Sequence, residues 1–309
     1  MPGNEKRCQG VAELTSRAIS KLPSRFSGRM LVAMAETESL LPLTTSLPPP
    51  LKWAGGKRWL LRHLLPLWRG ESQRRLVEPF CGALAVTLGL VPERALLNDS
   101  NPHLISFFLW VKRGLRITLW MENDKELYYA HRKRFNELLR AGETNTAEAA
   151  SLFYFLNRTA FNGLCRFNSD GEFNVPFGRY ETINYVRDFS LYRALLANWD
   201  FTSVDFELMD LEDDDFLYAD PPFDVQFTQY SSDPFRWEDQ VRTAEWLARH
   251  KGPVVLSNQA TERIVKLYEK LGFKLRFLEA PRRISCTGDR SPAKEVLALR
   301  NINTSTSSG

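Results

Sequence analysis

Arg75-Leu76-Val77-Glu78-Pro79-Phe80-Cys81-Gly82-Ala83 is the stretch that decides the fold. A short apolar run ends on an acid and then a proline, which cannot continue a sheet ladder. A turn with small residues follows, and the spacing of apolar residues over 83–90 predicts a helix. Working outward, the same alternation recurs. Residues 95–99 predict a strand and 104–111 a helix. Farther on, 215–220 predict a strand stopped by Pro221, 241–250 a helix and 253–258 another strand. Strands alternating with helices build a mostly parallel α/β sheet. Such sheets bind ligands beyond the carboxyl ends of their strands.

The chain has 309 residues, with 41 Lys plus Arg against 37 Asp plus Glu, a net charge of +4. Hydrophobic residues at 43% and aromatics at 12% exclude a wholly disordered chain. The cysteines, Cys8, Cys81, Cys165 and Cys286, are scattered and form no CxxC pair, which argues against a disulfide scaffold or a zinc knuckle. No apolar run reaches the roughly 18–20 residues that span a bilayer, and the N-terminus lacks the apolar segment of a secretory signal. The expected compartment is the cytoplasm.

Charge is unevenly spread. Residues 1–47 are basic and then Ser/Thr-rich, and Pro48-Pro49-Pro50 closes them off; we expect a disordered leader there and a disordered tail over 302–309. Residues 112–190 break the strand–helix rhythm and interleave cations with aromatics, as in Arg132-Lys133-Arg134 and Arg158-Thr159-Ala160-Phe161-Asn162. Such interleaving can grip phosphates and stack on bases. Residues 205–215 collect acids with no Lys or Arg among them, which predicts a solvated loop.

Three segments carry chemistry. In Asp220-Pro221-Pro222-Phe223, a carboxylate ends an apolar strand and two prolines lock the backbone behind it. The Asp220 carboxylate and the Pro221 carbonyl can accept both hydrogens of an exocyclic amine, while Phe223 stacks on a planar heterocycle. An ordinary strand end with a Pro-Pro turn explains these four residues equally well. In the opening stretch, Gly82 permits close backbone approach at a helix N-terminus, and Asp99 follows at the distance where an acid binds ribose hydroxyls. The absence of a GxGxxG pattern disfavours a dinucleotide, and the plainer alternative is that Glu78 and Asp99 cap helices. In Leu51-Lys52-Trp53-Ala54-Gly55-Gly56-Lys57, the Trp face can pack on a cofactor and Lys57 can pair with a carboxylate; a surface loop with a buried Trp is the simpler account of that segment alone.

Together these segments resemble the Dam-type DNA adenine-N6 methyltransferases, the D12 class. The resemblance rests on LKWAGGK (51–57), VEPFCG (77–82), NDSNPHLIS (98–106), FLNRTAFNGLCRFNSDGEFNVPFGRY (155–180), DPPF (220–223), LSN (256–258) and RRIS (282–285), in the family's order. It implies a Rossmann-like methyltransferase fold with a mostly helical target-recognition insert. The catalytic domain would comprise 48–111 and 191–301, and the insert 112–190. It implies S-adenosylmethionine as cofactor, bound through Trp53, Lys57, Glu78, Phe80, Gly82, Asp99 and Asp220. Asp220, Pro221, Pro222 and Phe223 would form the catalytic motif. Lys52, Asn162, Leu164 and Arg166 would recognise DNA, with Asn162 helping to fill the gap left by a flipped adenine, Arg166 reading a guanine edge and Lys52 reading the first base. The implied partner is double-stranded DNA, with GATC as default site, acted on by a monomer without metal or membrane.

The sequence departs from the family where Phe223 replaces the usual Tyr and at Thr159-Ala160-Phe161, where bulkier or hydroxylated rings are common. Stacking survives the loss of a hydroxyl. Arg290, Ser291 and Lys294 fall where the family carries a basic loop.

Overall fold

Apolar side chains alternate between two faces along the strands, and this alternation builds two cores. Leu76, Leu97, Phe216, Tyr218, Val255 and Leu297 point to one side, while Val77, Leu96, Leu217, Ala219, Leu256 and Val296 point to the other. A sheet apolar on both faces must be covered on both, so helices pack on each side. The computed structural model describes residues 47–224, 235–280 and 293–302. The leader up to residue 46, the stretch 282–285, Arg290, Ser291 and the tail from 303 lie outside the described residues.

One sheet runs in the order β3-β2-β1-β4-β5-β7-β6, formed by β1 (Leu76–Glu78), β2 (Ala95–Asn98), β3 (Trp199–Thr202), β4 (Phe216–Ala219), β5 (Val254–Gln259), β6 (Lys274–Ala280) and β7 (Ala293–Arg300). From β3 to β5 neighbours are parallel; β7 is antiparallel to both β5 and β6. The chain leaves β1 toward β2 and β3, then returns on its other side with β4 and β5. The order therefore reverses between β1 and β4, and a crevice opens there beyond the strand ends. The mostly parallel α/β sheet and its Rossmann-like order agree with the reading of the sequence.

Helices α1 (Leu61–Arg69), α2 (Thr87–Leu90), α3 (Pro102–Arg113), α4 (Lys125–Arg140), α5 (Ala147–Thr159) and α6 (Ser190–Leu196) precede β3 in the chain, and α7 (Trp237–Arg249) and α8 (Glu262–Lys270) flank β5. Buried residues occur all around α5, as expected of a helix enclosed by protein rather than set on a surface. It packs on α3 and α4, so the apolar cluster on that face of the sheet continues into residues 125–159.

Three expectations change. The helix expected over 83–90 is only Thr87–Leu90. Leu84 has φ 62° and its amide donates to the Cys81 carbonyl, so a non-helical turn occupies the first half. The acidic run 205–215 is not merely solvated. Asp215 is buried against Arg75, Asp205 and Glu207 pair with Arg242, and Asp213 pairs with Lys251. Its compensating cations are distant in sequence. Finally, β3, β6 and β7 were not anticipated: β3 reads Trp-Asp-Phe-Thr and β6 is largely exposed, so neither is an apolar run.

Candidate active site

Three carboxylates reach the carboxyl edge of the sheet because each closes or follows a central strand. Glu78 ends β1, Asp99 follows β2 and Asp220 follows β4. A cavity of about 610 Å³ lies above them. Its lining includes Trp53, Lys57, Glu78, Phe80, Gly82, Asp99 and Asp220 through Phe223, together with Arg58 and Tyr218. The structure thus brings the expected cofactor-binding and catalytic residues into one concave site.

Asp220 is held from two sides. Its Oδ2 lies 3.1 Å from Lys57 Nζ, and its Oδ1 accepts from Ser257 Oγ at 2.8 Å. Ser257 has one hydroxyl hydrogen, so when it donates to Asp220 its 3.1 Å contact with Tyr218 must run from the Tyr218 hydroxyl to Ser257. Burial raises the pKa of Asp220, and Lys57 and Ser257 oppose that shift. The Lys57 ammonium sits 4.2 Å from the Phe223 ring centroid and 3.9 Å from Glu295 Oε2 on β7. That distance is an ion pair but not a hydrogen bond, and Glu295 Oε2 is a buried acceptor without a partner. Burial pushes the Glu295 carboxyl up to about 7, with Lys57 opposing.

The turn after β1 is fixed through its own amides. Asp99 Oδ2 accepts from Gly82 N at 3.1 Å and Oδ1 from Asn101 N at 2.9 Å. Asn101, not Asp99, caps α3. Burial raises the Asp99 pKa, and these two amides oppose it. Gly82 has φ +47°, and a Cβ there would stand 2.9 Å from Trp53 Cδ1, so the indole lies directly on the turn. Gly82 is required both by its backbone angle and by this close approach. Glu78 accepts from the Thr87 hydroxyl at the start of α2; burial pushes its pKa up to about 8, and that hydrogen bond works against the rise. The free helix N-terminus expected after Gly82 is replaced by this interlocked turn.

The expected recognition residues lie outside the cavity lining. Lys52 is clasped from both sides of its backbone: its N donates to Asn157 Oδ1 at 2.8 Å and its O accepts from Asn157 Nδ2 at 2.7 Å. Its Nζ donates to the Arg158 carbonyl at 2.9 Å and lies 3.4 Å from the Tyr180 ring centroid. Burial, reinforced by Arg158, pulls its pKa down to about 8. Gly163 has φ +64°, and a Cβ there would be 2.5 Å from Lys52 Cβ. The turn beside it presents Phe161 and Asn162 to solvent, with Asn162 at φ 53°. Leu164 is half-buried. Arg166 Nε donates to Asn174 Oδ1 at 2.8 Å, which orients the guanidinium.

Ser257, Glu295 and Tyr218 were not singled out as site residues from the sequence. Ser257 had a signal, since three polar residues, Ser257, Asn258 and Gln259, end the strand Val254–Gln259. Glu295 had none, because only the antiparallel return of β7 brings it to Lys57. Among the described residues, no cluster of His, Cys, Asp and Glu side chains could hold a metal ion, and no helix is long and apolar enough to cross a membrane.

Comparison with known proteins places this site in a family. The model of the D12 class N6 adenine-specific DNA methyltransferases matches residues 53–284. A DNA adenine methylase of Vibrio cholerae serotype O1 is 36% identical over 275 residues, covering 81% of this chain and 94% of that one. A type II methyltransferase, M.MjaIII, of Methanocaldococcus jannaschii is 33% identical over 276 residues, covering 78% and 94%. The DNA N-6-adenine-methyltransferase of Escherichia phage P1, 33% identical over 268 residues and 80% of this chain, is longer, and the match spans 35% of it. The magnesium protoporphyrin IX methyltransferase of Synechocystis PCC 6803 overlays with a TM-score of 0.34 at 10% identity, over 90% of this chain and 100% of that one, a likeness too loose to bear on function. The chain belongs to the D12 class N6 adenine-specific DNA methyltransferase family, and S-adenosylmethionine is its methyl donor.

Proposed function

We propose that the protein transfers a methyl group to N6 of adenine in double-stranded DNA, at GATC, after turning the adenine out of the duplex. The observation that carries this reading is the Asp220 carboxylate, held by Lys57 and Ser257 at the cavity wall beside Pro221 and Phe223. An adenine N6 inside the stack is unreachable, and extrusion costs a few kcal/mol. Stacking on Phe223 offsets part of that cost.

The cavity suits the donor. Its volume falls in the usual range for small-ligand sites. The Asp99 and Asp220 carboxylates at its wall can pair with a ligand bearing a sulfonium and an ammonium. Trp53, Phe80 and Gly82 would hold its planar part, and Asp99 its ribose. When bound, S-adenosylmethionine supplies an electrophilic methyl group. The chain's part is to position the amine. Asp220 and the Pro221 carbonyl accept the two N6 hydrogens, which frees the nitrogen lone pair from the ring for in-line attack. Methylation leaves N6 carrying an extra proton and a positive charge, and Asp220 is the nearest group to stabilise that charge and accept the proton.

Residues 112–190 serve recognition in this reading. Arg166, oriented by Asn174, pairs with guanine O6 and N7. Asn162, on its exposed turn, fills the space the adenine leaves; Leu164 and Lys52 contact neighbouring bases. The enzyme acts as a cytoplasmic monomer. Single-molecule sequencing of genomic DNA from cells expressing the protein tests the proposal. N6-methyladenine within GATC is expected, and its absence from every adenine overturns the reading. Arg166→Ala is expected to relax discrimination at one guanine by about 1–3 kcal/mol.

A further inference from the structure

A Pro-Pro segment has no backbone N–H on either residue, so it cannot be anchored by donating hydrogen bonds. Its orientation must be set by what its carbonyls accept. Gln240 on α7 donates from Nε2 to the Pro222 carbonyl at 2.6 Å. Gln240 is 2% exposed. Its own amide cannot turn over freely, because it is the middle of a chain. The Gln259 amide donates to Asn258 Oδ1 at 2.8 Å, which fixes Asn258 with its Nδ2 outward. That Nδ2 donates to Gln240 Oε1 at 2.9 Å and to the Tyr268 hydroxyl at 3.1 Å. Reversing either amide would set acceptor against acceptor in a site where Asn258 and Tyr268 are also fully buried.

From this geometry we infer that Gln240 is a positioning residue for methyl transfer: it occupies the Pro222 carbonyl and so leaves the Pro221 carbonyl to the target amine. The inference rests on the function proposed above and deepens it. β5, α7 and α8 hold the two proline carbonyls in distinct roles, one as an anchor and one as an acceptor. Ser257 and Asn258 are consecutive on β5, so the same strand end orients both acceptors, Asp220 through Ser257 and the Pro-Pro backbone through Asn258 and Gln240.

The test compares the wild type with Gln240→Met and Gln240→Glu in the full-length protein. Both replacements keep the length of the side chain. The first removes the donor; the second puts an acceptor in its place. The single-turnover rate on a GATC duplex at saturating S-adenosylmethionine is expected to fall about 30- to 100-fold in both, the scale of a small misplacement of a reacting group. Cofactor affinity by titration and duplex affinity are expected to hold near wild type, while the melting temperature falls because the buried chain of Gln240, Asn258 and Tyr268 is disturbed. A packing role alone would leave Gln240→Met close to wild type in rate, and that result overturns the inference. Should either variant fold poorly, Tyr268→Phe removes only the far end of the chain and is expected to lower the rate about threefold with unchanged cofactor affinity; an unchanged rate there counts equally against it. A wild type that methylates adenine beside indifferent variants overturns the role of Gln240 alone. A wild type that transfers no methyl group to any adenine overturns both readings.

Discussion

Strand β4 carries a carboxylate beyond each end, and the two are used in opposite ways. Asp215, before the strand, is enclosed by a guanidinium: Arg75 Nε lies 2.9 Å from Oδ1 and Nη2 2.7 Å from Oδ2. The Glu212 amide adds a third donor at 2.7 Å. Asp215 is not part of that cavity's lining, and its side chain is fully buried. Asp220, after the strand, has one ammonium and one hydroxyl, and its carboxylate lines the cavity. Five residues apart, one acid closes a structural lock and the other keeps accepting capacity in reserve. A planar fork saturates a carboxylate, whereas a point charge and a single hydroxyl leave lone pairs for a ligand.

Substitutions can break or sharpen this contrast. The largest effect is expected at Asp220. Asp220→Ala should lower methylation by at least about 10³-fold while DNA binding stays near wild type, and it should also lower the melting temperature, because the buried Lys57 loses its nearest partner. Methylation assays beside a gel-shift titration check it; full activity would sink the proposed role. Asp215→Ala should cost stability alone. The half-buried Arg75 keeps Glu212 and the Asp210 carbonyl but loses its fully buried partner, which should cost about 1.5–3 kcal/mol in urea unfolding while the rate per folded molecule persists.

Glu78 sharpens the comparison through pH. Its pKa is raised from an ordinary 4.5 to about 8 by burial. Between those values the folded protein holds a proton that the unfolded chain has lost. Stability therefore falls as pH rises through that window and levels off above it. Glu78→Gln removes this dependence, so its stability relative to wild type should grow from pH 5 to pH 8.5, by on the order of a few kcal/mol. Thermal melts across that range check it, and a constant difference would contradict the burial argument. Ser257→Ala should have the smallest effect. Losing one hydrogen bond to the Asp220 carboxylate should slow transfer about tenfold and leave cofactor affinity nearly unchanged, as single-turnover and binding measurements would show.

Much of the central sheet was legible because its strands are buried on both faces and read as apolar runs. Residues 75–80, 95–99 and 215–220 each contain the strand they predicted, and 253–258 covers all of β5 but its last residue, Gln259. Strand β6 was not, because an antiparallel edge strand tolerates exposed and charged residues such as Lys274 and Arg276, whereas β7, also unanticipated, lies inside the sheet and carries the buried apolar run Val296–Leu299. The helix expected over 83–90 failed because the neighbouring strand claims its first turn: the Asp99 carboxylate and the Asn98 carbonyl bind the turn's amides, and Leu84 takes a left-handed angle. The acidic run misled for a distant one, since Arg75, Arg242 and Lys251 lie far from it in sequence.

The alternating architecture, the motifs and the chemical types gathered at the site follow from residue order. Periodicity and residue chemistry are local properties, readable a few residues at a time. The pairing of those types follows from the fold. It gave Asp220 to Lys57 and Ser257, placed Glu295 behind Lys57, clasped Lys52 to Asn157, and set Gln240 on the Pro222 carbonyl. Each pairing joins segments separated by tens to hundreds of residues, and the long-range register of strands and helices sets such distances, which no short stretch encodes.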